Sequence, residues 1–244
     1  MSSRPEIKNS FKLLLISSAV TVAVWLIPYA EVLVLPFKLF VTIIHEAAHA
    51  IAALATLGDV NRISIDWAGN GLTETRGGVR FIVSSAGYVG TTIYGSALLL
   101  LLRSANYARA AAMATATLLL VITAFFAGNF VMWVVGLFFA LGLLFLGIKC
   151  SVGAAHFFMS FLAVQALLNA LQDLRVLLYL SVFEPSTRTD AQNMAIATDG
   201  FLPAIIWAAL WATIALAILG FTLFQYYRSL RATRVTGVSS VIGG

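Results

Sequence analysis

The sequence predicts an all-α polytopic membrane protein with about six to seven transmembrane helices and a small β-hairpin insert. Hydrophobic residues make up 61% of the 244 residues and charged residues only 10%. A soluble domain is about half apolar and about a quarter charged, so this chain lacks the polar residues that would cover a globule. A single cysteine, Cys150, excludes a disulfide-stabilised scaffold. The net charge of +5 comes from short basic clusters, which suit anionic lipid headgroups better than nucleic acid.

Seven apolar segments are long enough to cross a bilayer, which requires roughly 20 residues. They lie at about 11–29, 36–57, 81–102, 108–127, 129–148, 155–180 and 203–227. We interpret the first as an uncleaved helix and not a signal peptide, because Pro28 lies two positions before the likeliest cleavage point, after Ala30. The orientation stays open, since seven helices would put the two basic termini on opposite sides of the membrane.

A non-helical insert follows the second segment, at 59–80. Ile63, Ile65 and Trp67 alternate with polar residues, which is the period-2 pattern of a strand. The stretch Ala68–Gly71 is typical of a turn, and Leu72–Thr75 can return as a second strand. The sequence therefore predicts a small hairpin directly after the second helix.

The residues His45, Glu46 and His49 form an HExxH motif within the second apolar segment. Two histidines four positions apart project from one face of a helix, about 6 Å apart along its axis, so both imidazoles can bind one tetrahedral zinc ion. Glu46 lies one position further on, where its carboxylate can take a proton from a water molecule at the metal. With 3 His and 5 Glu in the chain, a chance match is expected roughly once in 1,300 such sequences.

The position of the motif also indicates function. It lies in the middle of an apolar segment, between Val41–Ile44 and Ala50–Leu54. A charged residue at the bilayer centre costs about 2.5–3.5 kcal/mol on insertion scales, so an ionisable cluster there is a functional site by default. A purely structural His–Glu pair is the alternative.

A zinc ion with two histidine ligands needs a third protein ligand, commonly a carboxylate. Apart from Glu46, Asp173 is the only acidic residue inside an apolar segment, and it extends a polar stripe with Gln165 and Asn169 at spacing four. Such a stripe must face the protein interior or a wet cavity, so we predict Asp173 as the third ligand. Asn169 is a candidate substrate-binding residue that would orient Asp173 or hold a substrate carbonyl; interhelical hydrogen bonding is its structural alternative.

The third segment carries a ridge of small residues, Gly87, Thr91 and Gly95, at spacing four. Small residues at this spacing let two helix backbones approach closely. The alanine-rich flank of the motif helix is the partner we expect for this ridge, in a structural role only.

An HExxH inside a membrane helix, a strand hairpin after it and a much later intramembrane aspartate resemble the site-2 protease superfamily of intramembrane zinc metalloproteases. The closer similarity is to its compact bacterial branch lacking a PDZ domain, and it covers about residues 36–211. Other matching features are Pro36-Phe37, Ala86–Gly90 and the late run Thr189–Trp211. Better-studied members have an Asn-Pro pattern leading into Leu-Asp-Gly, whereas this chain reads Asn-Ala-Leu-Gln-Asp at 169–173. Asp190, in the late run, is therefore the alternative third ligand.

The resemblance implies hydrolysis of peptide bonds in membrane-embedded or membrane-adjacent substrates, with Zn²⁺ on His45, His49 and Asp173 and with Glu46 as the base. We expect the cell membrane as the location, a membrane protein or peptide as the substrate, the lipid bilayer as a partner, and no nucleic acid. An extended substrate would add a strand to the hairpin edge. Within a single integral membrane domain, 1–244, the expected parts are a metalloprotease core at about 36–180, the insert at 59–80, a polar loop at 181–202 and the last helix at 203–227.

Two other classes of function use the same residues. The first is a non-catalytic membrane zinc-binding protein, in which Glu46 would have no evident purpose. The second is a metal transporter, which normally needs a path of several ligand residues. Three histidines and two intramembrane acids supply little more than one site, so the protease is the interpretation we favour. The substrate and the oligomeric state are beyond the sequence.

Overall fold

A computed structural model describes residues 31–238 and, before them, the helical positions 12, 15, 16, 18–21 and 23. The expected cleavage point after Ala30 and the ends of the first predicted segment lie outside the described residues. The elements are α1 (Glu31–Ala55), β1 (Asp59–Ile65), β2 (Gly71–Arg76), α2 (Arg80–Leu101), a 3₁₀ turn (Ala105–Tyr107), α3 (Ala108–Phe126), α4 (Phe130–Lys149), α5 (Val152–Phe183), α6 (Asp190–Ala197) and α7 (Ala204–Val238). This confirms the predicted class, a helical membrane protein with a small hairpin.

Five helices in the described part of the chain are long and apolar enough to cross a membrane. They are Val32–Ala55, Ala105–Phe126, Phe130–Lys149, Val152–Phe183 and Ala204–Ser229. The predicted segment 81–102 also forms a helix, α2, but it is not among the five because glycine, serine, threonine and tyrosine interrupt its apolar residues. In a membrane, the small and polar residues of such a helix are suited to contacts with neighbouring helices, and most of them are buried here.

The short connections between helices are stabilised by side-chain caps. The side chain of Asn129 accepts a hydrogen bond from the backbone N–H of Met132 and begins α4 immediately after α3. Ser151 caps α5 in the same way by accepting from Ala154. Polar N-cap side chains satisfy backbone N–H groups that the helix leaves unpaired, and lipid cannot do this. The short break between the predicted segments 108–127 and 129–148 is therefore a capped turn.

The small-residue ridge of α2 faces two helices, which corrects the expectation of one partner. A Cβ atom on Gly95 would lie 2.8 Å from Cγ of Leu167, on α5. The contact with Ala48 of α1 falls instead on Gly90, where an added Cβ would lie 2.7 Å from the Ala48 Cβ. Because α2 lies between α1 and α5, small residues are required on more than one of its faces.

The hairpin is an antiparallel pair that runs from Asp59↔Arg76 to Ile65↔Gly71. Ile63 and Ile65 of β1 are buried in the helical core. The outer side of β1 bonds to the α3–α4 connection, where the Gly128 N–H donates to the Ile63 carbonyl at 2.7 Å and the Asn129 side chain donates to the Ile65 carbonyl at 2.7 Å. In the described structure β2 has no strand on its other side.

The turn of the hairpin is attached to the first half of α1. Lys38 Nζ donates to the Ala68 carbonyl at 2.7 Å, and Thr42 Oγ1 donates to the Gly69 carbonyl at 3.1 Å. The hairpin begins just after the end of α1, so these bonds make it fold back along the whole second half of that helix. It consequently covers the HExxH motif.

Candidate metal centre

The two histidines of the motif lie side by side near the middle of α1. Their ring centroids are 4.8 Å apart, as their spacing of four residues on one helix face requires. His49 and Glu46 are 6% and 5% exposed. Side chains of this polarity are buried so completely in a membrane helix only where other protein groups or a ligand satisfy them.

Asp190 completes a group of three potential ligands with these histidines. Its Oδ2 lies 3.5 Å from His45 Nε2 and 3.4 Å from His49 Nε2. The ligand atoms of all three residues lie within 4.8 Å of one another. Around a tetrahedral zinc ion with bonds near 2.0–2.1 Å, ligand atoms are about 3.3 Å apart. The donor set and its spacing therefore fit zinc.

Asp190 reaches the site because the polar stretch before the last helix is folded into the bundle. It is the first residue of α6, and the preceding residue, Thr189, caps that helix by accepting from the Gln192 N–H. Ala191 and Met194 of α6 are buried against Trp211 of α7. The site consequently uses a residue beyond the predicted core at 36–180.

The charge on Asp190 is stabilised by the histidines. Burial would raise the pKa of this carboxyl, but its interactions with the imidazoles of His49 and His45 hold the pKa well below its usual range. The ionised form, which is the metal-binding form of a carboxyl group, is thereby favoured.

His49 is oriented by a second contact. Its Nδ1 lies 2.6 Å from the carbonyl oxygen of Val83, at the start of α2. A carbonyl oxygen only accepts hydrogen bonds, so Nδ1 carries a hydrogen, and Nε2, which faces Asp190, is the ring nitrogen that a metal ion could bind. Backbone carbonyl partners of this kind fix the ring orientation of metal-ligating histidines.

The structure does not bring Asp173 into the group of three. Asp173 is half-buried on α5, close enough to interact electrostatically with His45 and Lys38. Asn169 is buried, and its side-chain amide donates to the Gln165 carbonyl at 2.9 Å on the same helix. Two assignments therefore stay predictions: Asp173 as a metal ligand and Asn169 as a substrate-binding residue. The residue that sequence analysis held as the alternative, Asp190, is the one beside both imidazoles.

Glu46 is covered by strand β2. Thr73 Oγ1 lies 2.6 Å from Glu46 Oε2 and 3.0 Å from the Glu46 backbone carbonyl oxygen. A Cβ atom on Gly71 would meet Glu46 Oε1, so glycine at this position lets the strand lie close to the carboxylate in its present orientation. The sequence carries no signal for either contact, because both depend on how the hairpin folds over α1.

Gly87 of α2 lies directly against the ligand atoms. A Cβ atom at this position would be 2.2 Å from His45 Nε2 and 2.5 Å from His49 Nε2. From the sequence, Gly87 was expected to serve only in helix packing. Its structural role is to leave room for the Nε2 edges of the two imidazoles.

An aromatic wall closes one side of the site. The Tyr88 ring packs edge-on against His45 at a centroid distance of 4.7 Å and stacks on Trp211 at 5.6 Å. Trp211 is held in turn by a hydrogen bond of 2.9 Å from its Nε1 to Ser85 Oγ. The wall links α1, α2 and α7 and packs against His45 on that side of the site.

Comparison with known proteins gives a family match. The family model described as Peptidase M50B-like matches residues 15–222, a range that contains every residue of the site. A search of curated proteins gave no match to the chain, and a search of solved structures gave none. The match extends over most of the chain and includes both the HExxH helix and the aspartate that joins it. The chain belongs to the Peptidase M50B-like family and is an intramembrane metalloprotease of the site-2 protease superfamily.

Proposed function

We propose that this protein is a zinc-dependent endopeptidase of the cell membrane, with the metal held by His45, His49 and Asp190. The observation that carries the proposal is the position of one Asp190 oxygen, 3.4–3.5 Å from both Nε2 atoms. That spacing matches two edges of a tetrahedral zinc site. Three protein ligands of this kind leave the fourth position open, as in catalytic zinc sites.

Zinc bound here would polarise the scissile carbonyl and lower the pKa of a bound water toward 7. The remaining chemistry belongs to Glu46, which is next to a ligand in sequence but outside the group of three. Its carboxylate accepts a proton from the attacking water and passes it to the leaving amine as the peptide bond breaks. The burial of Glu46 under β2 keeps bulk water away from this transfer.

We propose that the substrate is an extended segment of a membrane-embedded or membrane-adjacent protein. The outer side of β1 is already bonded to the α3–α4 connection, whereas β2 has no strand on its outer side in the described structure. An extended peptide can add to such an edge through backbone hydrogen bonds. At Gly71–Thr73 this edge passes directly over Glu46, so an added peptide would run close to the catalytic base.

The test uses the full chain purified in detergent, with zinc measured per chain and cleavage of a membrane-protein substrate followed in vesicles. Wild type should hold about one zinc and cleave. Glu46→Gln preserves the size of the side chain but cannot accept the proton. It should keep zinc near stoichiometric and lower the cleavage rate by about 10²–10⁴-fold, the usual contribution of a general base.

The same measurements separate the proposed function from its rivals. A zinc-loaded wild type that cuts no peptide bond would support the non-catalytic zinc-binding protein. Zinc flux across vesicles that changes in Glu46→Gln, without cleavage, would support the transporter. Near wild-type cleavage by Glu46→Gln would contradict the mechanism whatever the zinc content.

A further inference from the structure

We propose that Thr73 is a positioning residue that holds the carboxylate of Glu46 for proton transfer. The inference rests on the proposed function, since it concerns the orientation of the base in that reaction. Because Thr73 lies on β2 and Glu46 lies on α1, the hairpin would contribute a side chain to the active site. No motif in the sequence indicates this role.

The contact between the two side chains is short. The Thr73 hydroxyl oxygen is 2.6 Å from Glu46 Oε2 and 3.0 Å from the backbone carbonyl of the same residue. A hydroxyl has one hydrogen and donates to one acceptor at a time. A separation of 2.5–2.7 Å is typical of a hydroxyl that donates to an ionised carboxylate. The carboxylate is therefore the main partner.

This bond gives the two carboxylate oxygens of Glu46 different surroundings. Oε2 accepts from Thr73, and Oε1 faces the bare Cα of Gly71. Thr73 is the one side chain in the described structure that hydrogen-bonds the carboxylate of Glu46. The hydroxyl fixes rotation about the end of the Glu46 side chain and leaves Oε1 as the oxygen that takes the proton.

The hairpin is held in place without this bond. Its turn is attached to Lys38 and Thr42, and β1 is fixed by the burial of Ile63 and Ile65 in the core. Replacing Thr73 with valine removes a hydroxyl and keeps a β-branched side chain, which strands favour. The substitution should therefore change the carboxylate's orientation while the hairpin stays in position.

The experiment compares Thr73→Val, Thr73→Ser and Thr75→Val in the full chain, with zinc content, kcat and KM measured for one membrane-protein substrate. Thr75 lies two positions along β2, on the same strand face as Thr73, and makes no side-chain bond to Glu46. We expect Thr73→Val to lower kcat by about 10- to 100-fold, part of the general-base contribution, with zinc and KM unchanged. Thr73→Ser should recover most of the wild-type kcat, and Thr75→Val should equal wild type.

Two further results decide between an oriented base and other roles. In the Glu46→Gln background, Thr73→Val should lower the residual rate no further, because residues that act as one unit are not additive. A Thr73→Val enzyme that loses zinc, or that changes KM alone, would overturn the proposal, as would a Thr73→Ser enzyme as slow as Thr73→Val. If Glu46→Gln cleaves at the wild-type rate, the proposed function fails first. If only Thr73→Val does so, the inference about Thr73 fails alone.

Discussion

Oδ2 of Asp190 lies 3.4 Å from Nε2 of His49, although the two residues belong to elements far apart in the sequence. His49 lies in a long membrane helix, while Asp190 begins a helix of 8 residues in a polar stretch. The contact depends on the burial of α6 against the tryptophan-rich start of α7. The position of Asp190 beside the histidines is therefore sensitive to the packing of a short element.

We expect Asp190→Asn and Asp173→Asn to differ in zinc affinity. Both substitutions remove one negative charge near the histidines, so each serves as the control for the other. Asp190→Asn removes a ligand and should weaken zinc binding by more than the roughly 10- to 100-fold that loss of an outer contact costs. Asp173→Asn should leave zinc affinity unchanged. Titration with zinc against a competing chelator measures both, and the reverse order would return the third-ligand role to Asp173.

Gly87→Ala should abolish zinc binding. The added methyl group would clash with Nε2 of both His45 and His49, well inside van der Waals contact. This clash could be relieved only by moving the imidazoles. Overpacking of this kind also costs about 1–3 kcal/mol of stability.

Gly142→Ala on α4 is the matched control for Gly87→Ala. A methyl group at that position would meet nothing within 4 Å, and it should leave zinc content and cleavage at their wild-type values. Zinc per chain and the thermal midpoint are measured for both variants. A Gly87→Ala protein with stoichiometric zinc would show that the imidazoles do not bind metal through their Nε2 atoms.

Zinc should stabilise the folded protein in a way that depends on His49. A ligand present at 100 times its Kd stabilises a fold by about 2.7 kcal/mol when it binds only the folded state. Removing zinc with a chelator should therefore lower the thermal midpoint of wild type, and adding zinc should restore it. The His49→Ala protein should show no zinc-dependent shift. Equal shifts in the two proteins would place the stabilising metal elsewhere.

The helical architecture and half of the site follow from local sequence patterns. Long apolar runs predict membrane helices, because a segment that spans the lipid must satisfy its backbone polar groups by hydrogen bonds within itself. The alternation at Ile63 and Ile65 predicts the strand that the structure contains. The pairing of His45 with His49 needs only helix geometry, since a spacing of four places both rings on one face.

The position of Asp190 beside both imidazoles was beyond such patterns. Hydropathy favours Asp173, because it is the acid inside an apolar segment, and it disfavours Asp190, because the stretch 181–202 is polar. That stretch nevertheless enters the bundle, since Ala191 and Met194 give the short helix α6 an apolar face to bury against α7. A short helix of this kind has too weak a hydropathy signal to be recognised as part of the core.

The sequence by itself determined the membrane helices, the hairpin and the paired histidines with Glu46 beside them, because each depends on residues within a few positions of one another. Only the tertiary structure decided that Asp190 joins His45 and His49, that Gly87 leaves room for their Nε2 atoms and that Thr73 binds Glu46. The physical reason is that these contacts join separate elements. Their distances are set by how α1, α2, α6 and β2 pack together, and a linear pattern does not carry that information.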